Sequence, residues 1–145
     1  MSQLAKLSQP FPPAFVEKAP QGKYGDYVAH HTVNQALLAT CGPFDLEVVQ
    51  VLRGDYQNLA NVIVGVVARL TLTVDGERVR IEEVGDCENP TNWKQDGARL
   101  KDALSDALKR CAMRVGLGLH LWSQEHYFLD KSLAKRETDT ATEST

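Results

Sequence analysis

The sequence predicts an α+β fold in which an antiparallel three-strand meander packs on one long helix, with another helix before the strands. Three consecutive segments between residues 44 and 85 look like strands. The first is rich in β-branched residues, the second begins with a long apolar run and then alternates apolar and polar side chains, and the third alternates. The flanking segments, 27–42 and 98–115, instead repeat apolar residues at helical spacing. Because helices and strands are grouped rather than alternating, the order favours an α+β fold.

Size and composition fit one globular domain. The chain has 145 residues, 43% of them hydrophobic, and no apolar run long enough to cross a bilayer. We find no secretory signal, and Cys41, Cys87 and Cys111 lack metal-type spacing. The expectation is therefore a cytoplasmic protein with reduced thiols and no membrane partner.

The first 25 residues predict an extended N-terminal arm. Prolines surround Phe11 and Phe15, which would act as apolar anchors.

Asp26 is expected to cap a helix over 27–42 that ends at Gly42 and Pro43. The apolar positions of that helix would be Val33, Leu37, Leu38 and Cys41.

The strands are predicted at 44–52, 61–74 and 77–85. A long polar loop is expected over 53–61, between the first two. Asp75 and Gly76 join the other two, and this dipeptide suits a type I′ hairpin turn because both central residues need positive φ. A loop at 86–97 leads to the long helix, and 121–137 is expected to add a short one. The domain is therefore assigned to 26–133 and a disordered tail to 134–145, where apolar residues are scarce.

The long helix gathers cations although the formal net charge is −3. At 100° per residue, its core arc comprises Leu100, Leu104, Ala107, Leu108, Cys111 and Val115. Arg99, Arg110 and Arg114 fall on one flank of this arc with Ala103, and Lys109 lies on the far side from the core. The cations could contact phosphates, or they could form a solvated helix end, stabilised by the helix dipole by about 0.3–1 kcal/mol.

The segment SDALKRCAMRVG at 105–116 follows a meander that contains VDG and EEVGD. Before it stand PFPP at 10–13 and YVAHHTVNQALLATCGPFDLEVV at 27–49. In this order, these motifs resemble the Rad52/Rad22 type of single-strand annealing protein, here a bacteriophage or bacterial member. The resemblance covers roughly residues 8–122 and is most specific at Leu108, Lys109 and Arg110 with Arg114 and Gly116.

The resemblance implies a β-β-β-α core that assembles into a homo-oligomeric ring or arc, with single-stranded DNA in a basic groove. By the match, Lys109 and Arg110 correspond to the DNA-contacting pair, and Arg114 and Lys101 to further basic positions. Thr32 and Val74 stand where eukaryotic members carry cations, so the match extends less well to a second, outer DNA site. With the cations of the helix flank and the preceding loop, the predicted DNA-binding set is Lys109, Arg110, Arg114, Arg99, Lys101 and Lys94.

The function expected from this resemblance is ATP-independent annealing of complementary strands in recombination and repair. Annealing includes no covalent step, so neither enzymatic activity nor a cofactor is expected. Other expected partners are a single-strand-binding protein or an exonuclease. Two alternatives are a DNA-end-binding protein of the same fold without annealing activity and a metal-dependent nuclease using Glu82, Glu83 and Asp86.

Aromatic residues leave a further choice open. Tyr24, Tyr56, Trp93 and Trp122 could stack on bases, although such residues more often anchor a core or a subunit contact. Trp93 is the strongest candidate for stacking because it precedes Lys94 in the loop before the basic helix.

Overall fold

The computed structural model describes residues 1–18 and 26–143. Backbone contacts group the chain into two compact units. The first contains Met1–Gly42, Val74–Gly76 and Ala112–Thr145, and the second contains Pro43–Thr73 and Glu77–Cys111. The second unit holds most of the sheet and the long helix, so it carries the predicted β-β-β-α core.

The sheet is the antiparallel meander that the sequence predicts. Strands β3 (Asp45–Tyr56), β4 (Leu59–Val74) and β5 (Glu77–Asp86) lie in the order β3-β4-β5. Strand β4 is central and mostly buried, which agrees with its long apolar run. This arrangement confirms the α+β fold class.

The connection between β3 and β4 is shorter than the sequence predicts. In place of a polar loop over 53–61, both strands continue until Tyr56 pairs with Leu59, leaving only Gln57 and Asn58 in the turn. A loop was predicted because the side chains here are polar. They are polar because this end of the hairpin is exposed to solvent. The β3–β4 register shifts three times, at Val48/Gln50, Leu52/Arg53 and Gly54/Tyr56.

The turn between β4 and β5 is the predicted type I′ turn. Asp75 has φ 51° and Gly76 has φ 81°, so both central residues are left-handed. A methyl group on Gly76 would meet nothing within 4 Å, which isolates the effect of backbone conformation from any steric clash.

Gly76→Ala is therefore expected to lower the free energy of unfolding by about 1–2 kcal/mol, since an L side chain disfavours this φ. Gly97→Ala is the matched control because its methyl group also meets open space, but at a helical position without positive φ. It should stabilise by up to about 1 kcal/mol. Chemical denaturation measures both values, and equal effects of the two substitutions would contradict the turn assignment.

Helix α3 (Asp96–Met113) packs directly on the sheet. Its Ala103 and Ala107 join Val66, Ala68 and Cys87 in one buried cluster. Leu100 and Leu104 are only partly buried, and Ala103 belongs to the core rather than to the arginine flank on which the helical wheel placed it. The buried face is thus rotated toward the small residues, because they allow the helix to approach the sheet closely.

Gly116 terminates helix α3. The Gly116 N–H donates to the Met113 carbonyl oxygen at 3.0 Å, and the Leu117 N–H donates to that of Ala112 at 3.0 Å. With Gly116 at φ 88°, this is a Schellman motif. It confirms the predicted glycine stop, although the last helical residue is Met113 instead of Val115.

The N-terminal part of the first unit is more structured than an extended arm. Helix α1 (Gln3–Leu7) and a 3₁₀ turn (Pro13–Phe15) precede two paired short strands, β1 (Glu17–Lys18) and β2 (Asp26–Tyr27). Phe11 is partly buried against the ring of His120, but Phe15 is 53% exposed. The predicted arm at 1–25 is therefore corrected for residues 1–18, and 19–25 lie outside the described residues.

Helix α2 (His30–Cys41) begins later than predicted. Asp26 does not cap it: the N-cap is Ala29, whose side chain makes no capping bond, and Asp26 pairs with Lys18 in β2. Val33 and Leu37 are buried as expected, whereas Leu38 is exposed. The apolar face is consequently narrower than the sequence spacing suggests.

The C-terminal segment forms helices α4 (His120–Ser123) and α5 (Leu129–Glu143). The predicted disordered tail, 134–145, is corrected for 134–143, which continue α5. Three threonine hydroxyls of this stretch bond to the carbonyl oxygen four residues earlier, at Thr138, Thr140 and Thr142. Among the described residues, no helix is long and apolar enough to cross a membrane.

Candidate nucleic-acid interface

Lys109 and Arg110 lie in the last two turns of α3, immediately after the buried Leu108. Both side chains are partly exposed, whereas the neighbouring Cys111 is fully buried. The apolar neighbours fix the helix on the sheet, so the two cations occupy defined positions on a rigid element. Such positions suit contact with phosphates, since a guanidinium group can donate two parallel hydrogen bonds.

Arg110 is held by a carboxylate on its own helix. Its Nε donates to Asp106 Oδ2 at 3.1 Å, and the same oxygen accepts the backbone N–H of Asp86 at 3.0 Å. Asp106 thereby links the end of β5 to the helix and orients the Arg110 guanidinium. This role of Asp106 was not predicted, although its four-residue spacing from Arg110 is the signal in the sequence that indicates it.

Lys94 and Lys101 are exposed, as a DNA contact requires. Lys101 lies two turns before Lys109 on α3, about 80° around the axis and roughly 12 Å along it. The structure therefore puts Lys101 and Lys109 on the same broad side of one helix. Arg114 is also exposed, but it lies in the turn after α3 and belongs to the first unit.

Arg99 occupies a different environment from the other five cations. Its side chain is 6% exposed, and its Nε donates to the Pro90 carbonyl oxygen at 2.9 Å. One terminal nitrogen donates to the Trp93 carbonyl oxygen at 2.5 Å and the other to Asp96 Oδ1 at 3.0 Å. Because these bonds hold the loop before α3, we correct the predicted DNA contact at Arg99 to a structural role.

Asp96 extends this network to the hairpin of β3 and β4. Its Oδ2 accepts from Arg53 at 3.0 Å, and its Oδ1 also accepts the backbone N–H of Ile63 at 3.1 Å. The Ile63 N–H, followed by Arg53 and Arg99, lowers the pKa of the Asp96 carboxyl group below its ordinary value. Two guanidinium groups thus surround one carboxylate, leaving this network net positive.

One carboxylate of the acidic segment at 82–88, that of Glu82, is paired with a cation on the sheet. Glu82 accepts from Arg69 at 2.7 Å, and Arg69 also contacts Glu47 at 3.6 Å on the next strand. Glu82 is exposed and Glu83 is partly buried, as expected for side chains on opposite faces of a strand. Among the described residues, no group of three or more histidine, cysteine or acidic side chains is arranged to hold a metal ion.

The candidate stacking residues differ in their exposure to solvent. Tyr56 is partly buried, whereas Trp93 is 39% and Trp122 is 65% exposed. Trp93 lies in the second unit, in the loop that Arg99 holds, and Trp122 lies in α4 of the first unit. Tyr24 falls outside the described residues.

Comparison with known proteins agrees with this architecture. The family model described as "Rad52/22 family double-strand break repair protein" matches residues 1–140. A search of curated proteins returned no significant match. Since the family match spans nearly the whole chain, including the sheet and the basic helix, it also accounts for the order of motifs seen in the sequence. The chain belongs to the Rad52/22 family of double-strand break repair proteins and so functions in DNA repair and recombination.

Proposed function

We propose that this protein binds single-stranded DNA along a basic groove and anneals complementary strands without ATP. The observation that carries the proposal is the placement of Lys109 and Arg110, the pair that matches the family's DNA contacts, on an anchored helix. Lys101 and Lys94 supply further exposed cations in the same unit. The match to the family motif adds Arg114 as a further proposed DNA contact.

The chemistry of annealing fits such a groove. Two complementary strands repel each other through their phosphates, and cationic side chains reduce this repulsion without reading sequence. Because these contacts are made to the DNA backbone, the hydrogen-bonding edges of the bases stay available for pairing. No covalent bond changes, so the proposal requires neither a catalytic residue nor a cofactor.

A homo-oligomeric ring or arc would multiply the few contacts made by each subunit. The chain is slightly acidic overall, and α3 itself carries four cations and three carboxylates. Repetition of the groove around an oligomer would raise affinity without new contacts. Strand β3 offers an edge for assembly, where Val48, Val49 and Val51 are each at least 36% exposed.

Annealing of complementary oligonucleotides tests the proposal. We expect the protein to accelerate duplex formation in the absence of ATP and Mg²⁺, and acceleration to fall steeply as salt rises. Binding without acceleration would instead indicate a DNA-end-binding protein. Strand cleavage that requires Mg²⁺ would indicate a nuclease, and either result would overturn the annealing proposal.

A further inference from the structure

The loop before α3 combines an exposed tryptophan with a backbone that several hydrogen bonds hold in place. Trp93 is 39% exposed, and it follows a 3₁₀ turn at Pro90–Asn92 whose first residue is fully buried. The Trp93 N–H donates to the Pro90 carbonyl oxygen at 3.2 Å. A large aromatic side chain is thus presented to solvent from a backbone with little freedom to move.

The cause of this rigidity is the buried guanidinium of Arg99. It bonds to the carbonyl oxygens of Pro90 and Trp93, on both sides of the turn, and to Asp96 on its own helix. Asp96 is tied in turn to Arg53 and to the backbone of Ile63. The network therefore fixes the Trp93 backbone relative to both the helix and the hairpin of the same unit.

The charge of this loop favours a nucleic-acid strand over a protein surface as its binding partner. Residues 89–95 contain no carboxylate, and Lys94 is exposed beside Trp93. The supporting network places two guanidinium groups around the carboxylate of Asp96. Protein interfaces are depleted of lysine at their core, whereas single-strand sites combine an aromatic platform with adjacent cations.

We propose that Trp93 is a base-stacking platform for single-stranded DNA, that Arg99 positions it, and that Lys94 contacts the adjoining phosphate. This inference rests on the proposed function and adds to it a contact with bases. Since every base presents a flat π-face, stacking here would not depend on sequence. Arg99 acts as a positioning residue and does not touch the DNA.

Two oligonucleotides of equal length, oligo(dT) and an abasic strand, separate stacking from phosphate binding. The chain has two tryptophans, so Trp122→Phe leaves Trp93 as the sole tryptophan of the full-length protein. We expect oligo(dT) to quench Trp93 emission and the abasic strand to leave it nearly unchanged. Trp93→Ala should weaken oligo(dT) binding by roughly 5- to 100-fold but abasic-strand binding by less than about 2-fold.

Trp93→Phe keeps an aromatic ring and should retain most of the oligo(dT) affinity. This variant keeps the inference testable if Trp93→Ala fails to fold. Trp122→Ala is the matched tryptophan control and should bind both strands like the parent.

Equal affinity for the two strands together with unchanged Trp93 emission would overturn the stacking inference but leave the groove proposal intact. Loss of particle mass in Trp93→Ala without DNA would assign Trp93 to a contact between copies and would also overturn it. A parent protein that binds neither strand would defeat the proposed function itself.

Discussion

Gly85→Ala is expected to destabilise the second unit by roughly 3 kcal/mol or more, or to prevent its folding. A methyl group at Gly85 would overlap the Ala103 carbonyl oxygen and lie 2.5 Å from the Ala107 backbone nitrogen. Both atoms belong to the backbone of α3, so no side-chain rotation can relieve the overlap. The helix would have to move off β5, taking Ala103 and Ala107 out of the core cluster.

Gly54→Ala is the matched control for this prediction. Gly54 lies on β3, and its methyl group would meet only Val64 Cγ2 at 3.7 Å, an ordinary contact. Its free energy of unfolding should change by less than about 1 kcal/mol. Denaturant titration followed by circular dichroism measures both variants, and a Gly85→Ala protein as stable as Gly54→Ala would refute the close helix–sheet approach.

Simultaneous replacement of Lys109 and Arg110 by alanine is expected to weaken single-strand binding roughly 10-fold or more near 0.1 M salt. The two residues supply the charge-assisted phosphate contacts on which the proposed groove depends. Neither side chain is fully buried, so the free energy of unfolding and the particle size should change little. Fluorescence anisotropy with a labelled oligonucleotide gives the affinity, and light scattering gives the particle size.

The chain contains its own control for charge. Lys135 and Arg136 are also consecutive, exposed and helical, but they lie on α5 of the first unit. Replacing them by alanine removes the same net charge. If the effect on binding came only from overall charge, both double variants would lose affinity equally, whereas a specific groove predicts loss for Lys109 and Arg110 alone.

The sheet and its hairpin were predictable because the local signals agree with the tertiary structure. Asp75 and Gly76 admit the required positive φ, and the strands around them alternate in polarity. The β3–β4 connection was mispredicted because Arg53, Asp55 and Gln57 look like loop residues. The backbone of Arg53 and Asp55 instead continues a two-stranded ribbon, and only Gln57 lies in the turn. Polar side chains indicate that a segment is exposed to solvent. They do not distinguish an exposed hairpin end from a loop, because both are polar.

The candidate site was predictable only in part. The positions of Lys109 and Arg110 follow from helical periodicity and from the family motif. The same periodicity placed Arg99 on the exposed flank, but it carries no information about the carbonyl oxygens of Pro90 and Trp93 that bury its guanidinium. Those partners come from an irregular loop, whose path depends on tertiary contacts. Trp93 could be named from sequence only as a candidate, since its exposure depends on that loop.

The salt dependence of single-strand affinity tests the central claim most directly, because its slope counts the phosphate contacts that each protomer makes. For single strands, each contact contributes about 0.7 to the slope of log affinity against log salt. Replacing both Lys109 and Arg110 by alanine should therefore reduce the slope by about 1.4 per engaged protomer. Replacing Lys135 and Arg136 should leave it unchanged. Identical slopes for the two double variants and the parent would contradict the assignment of DNA binding to this helix.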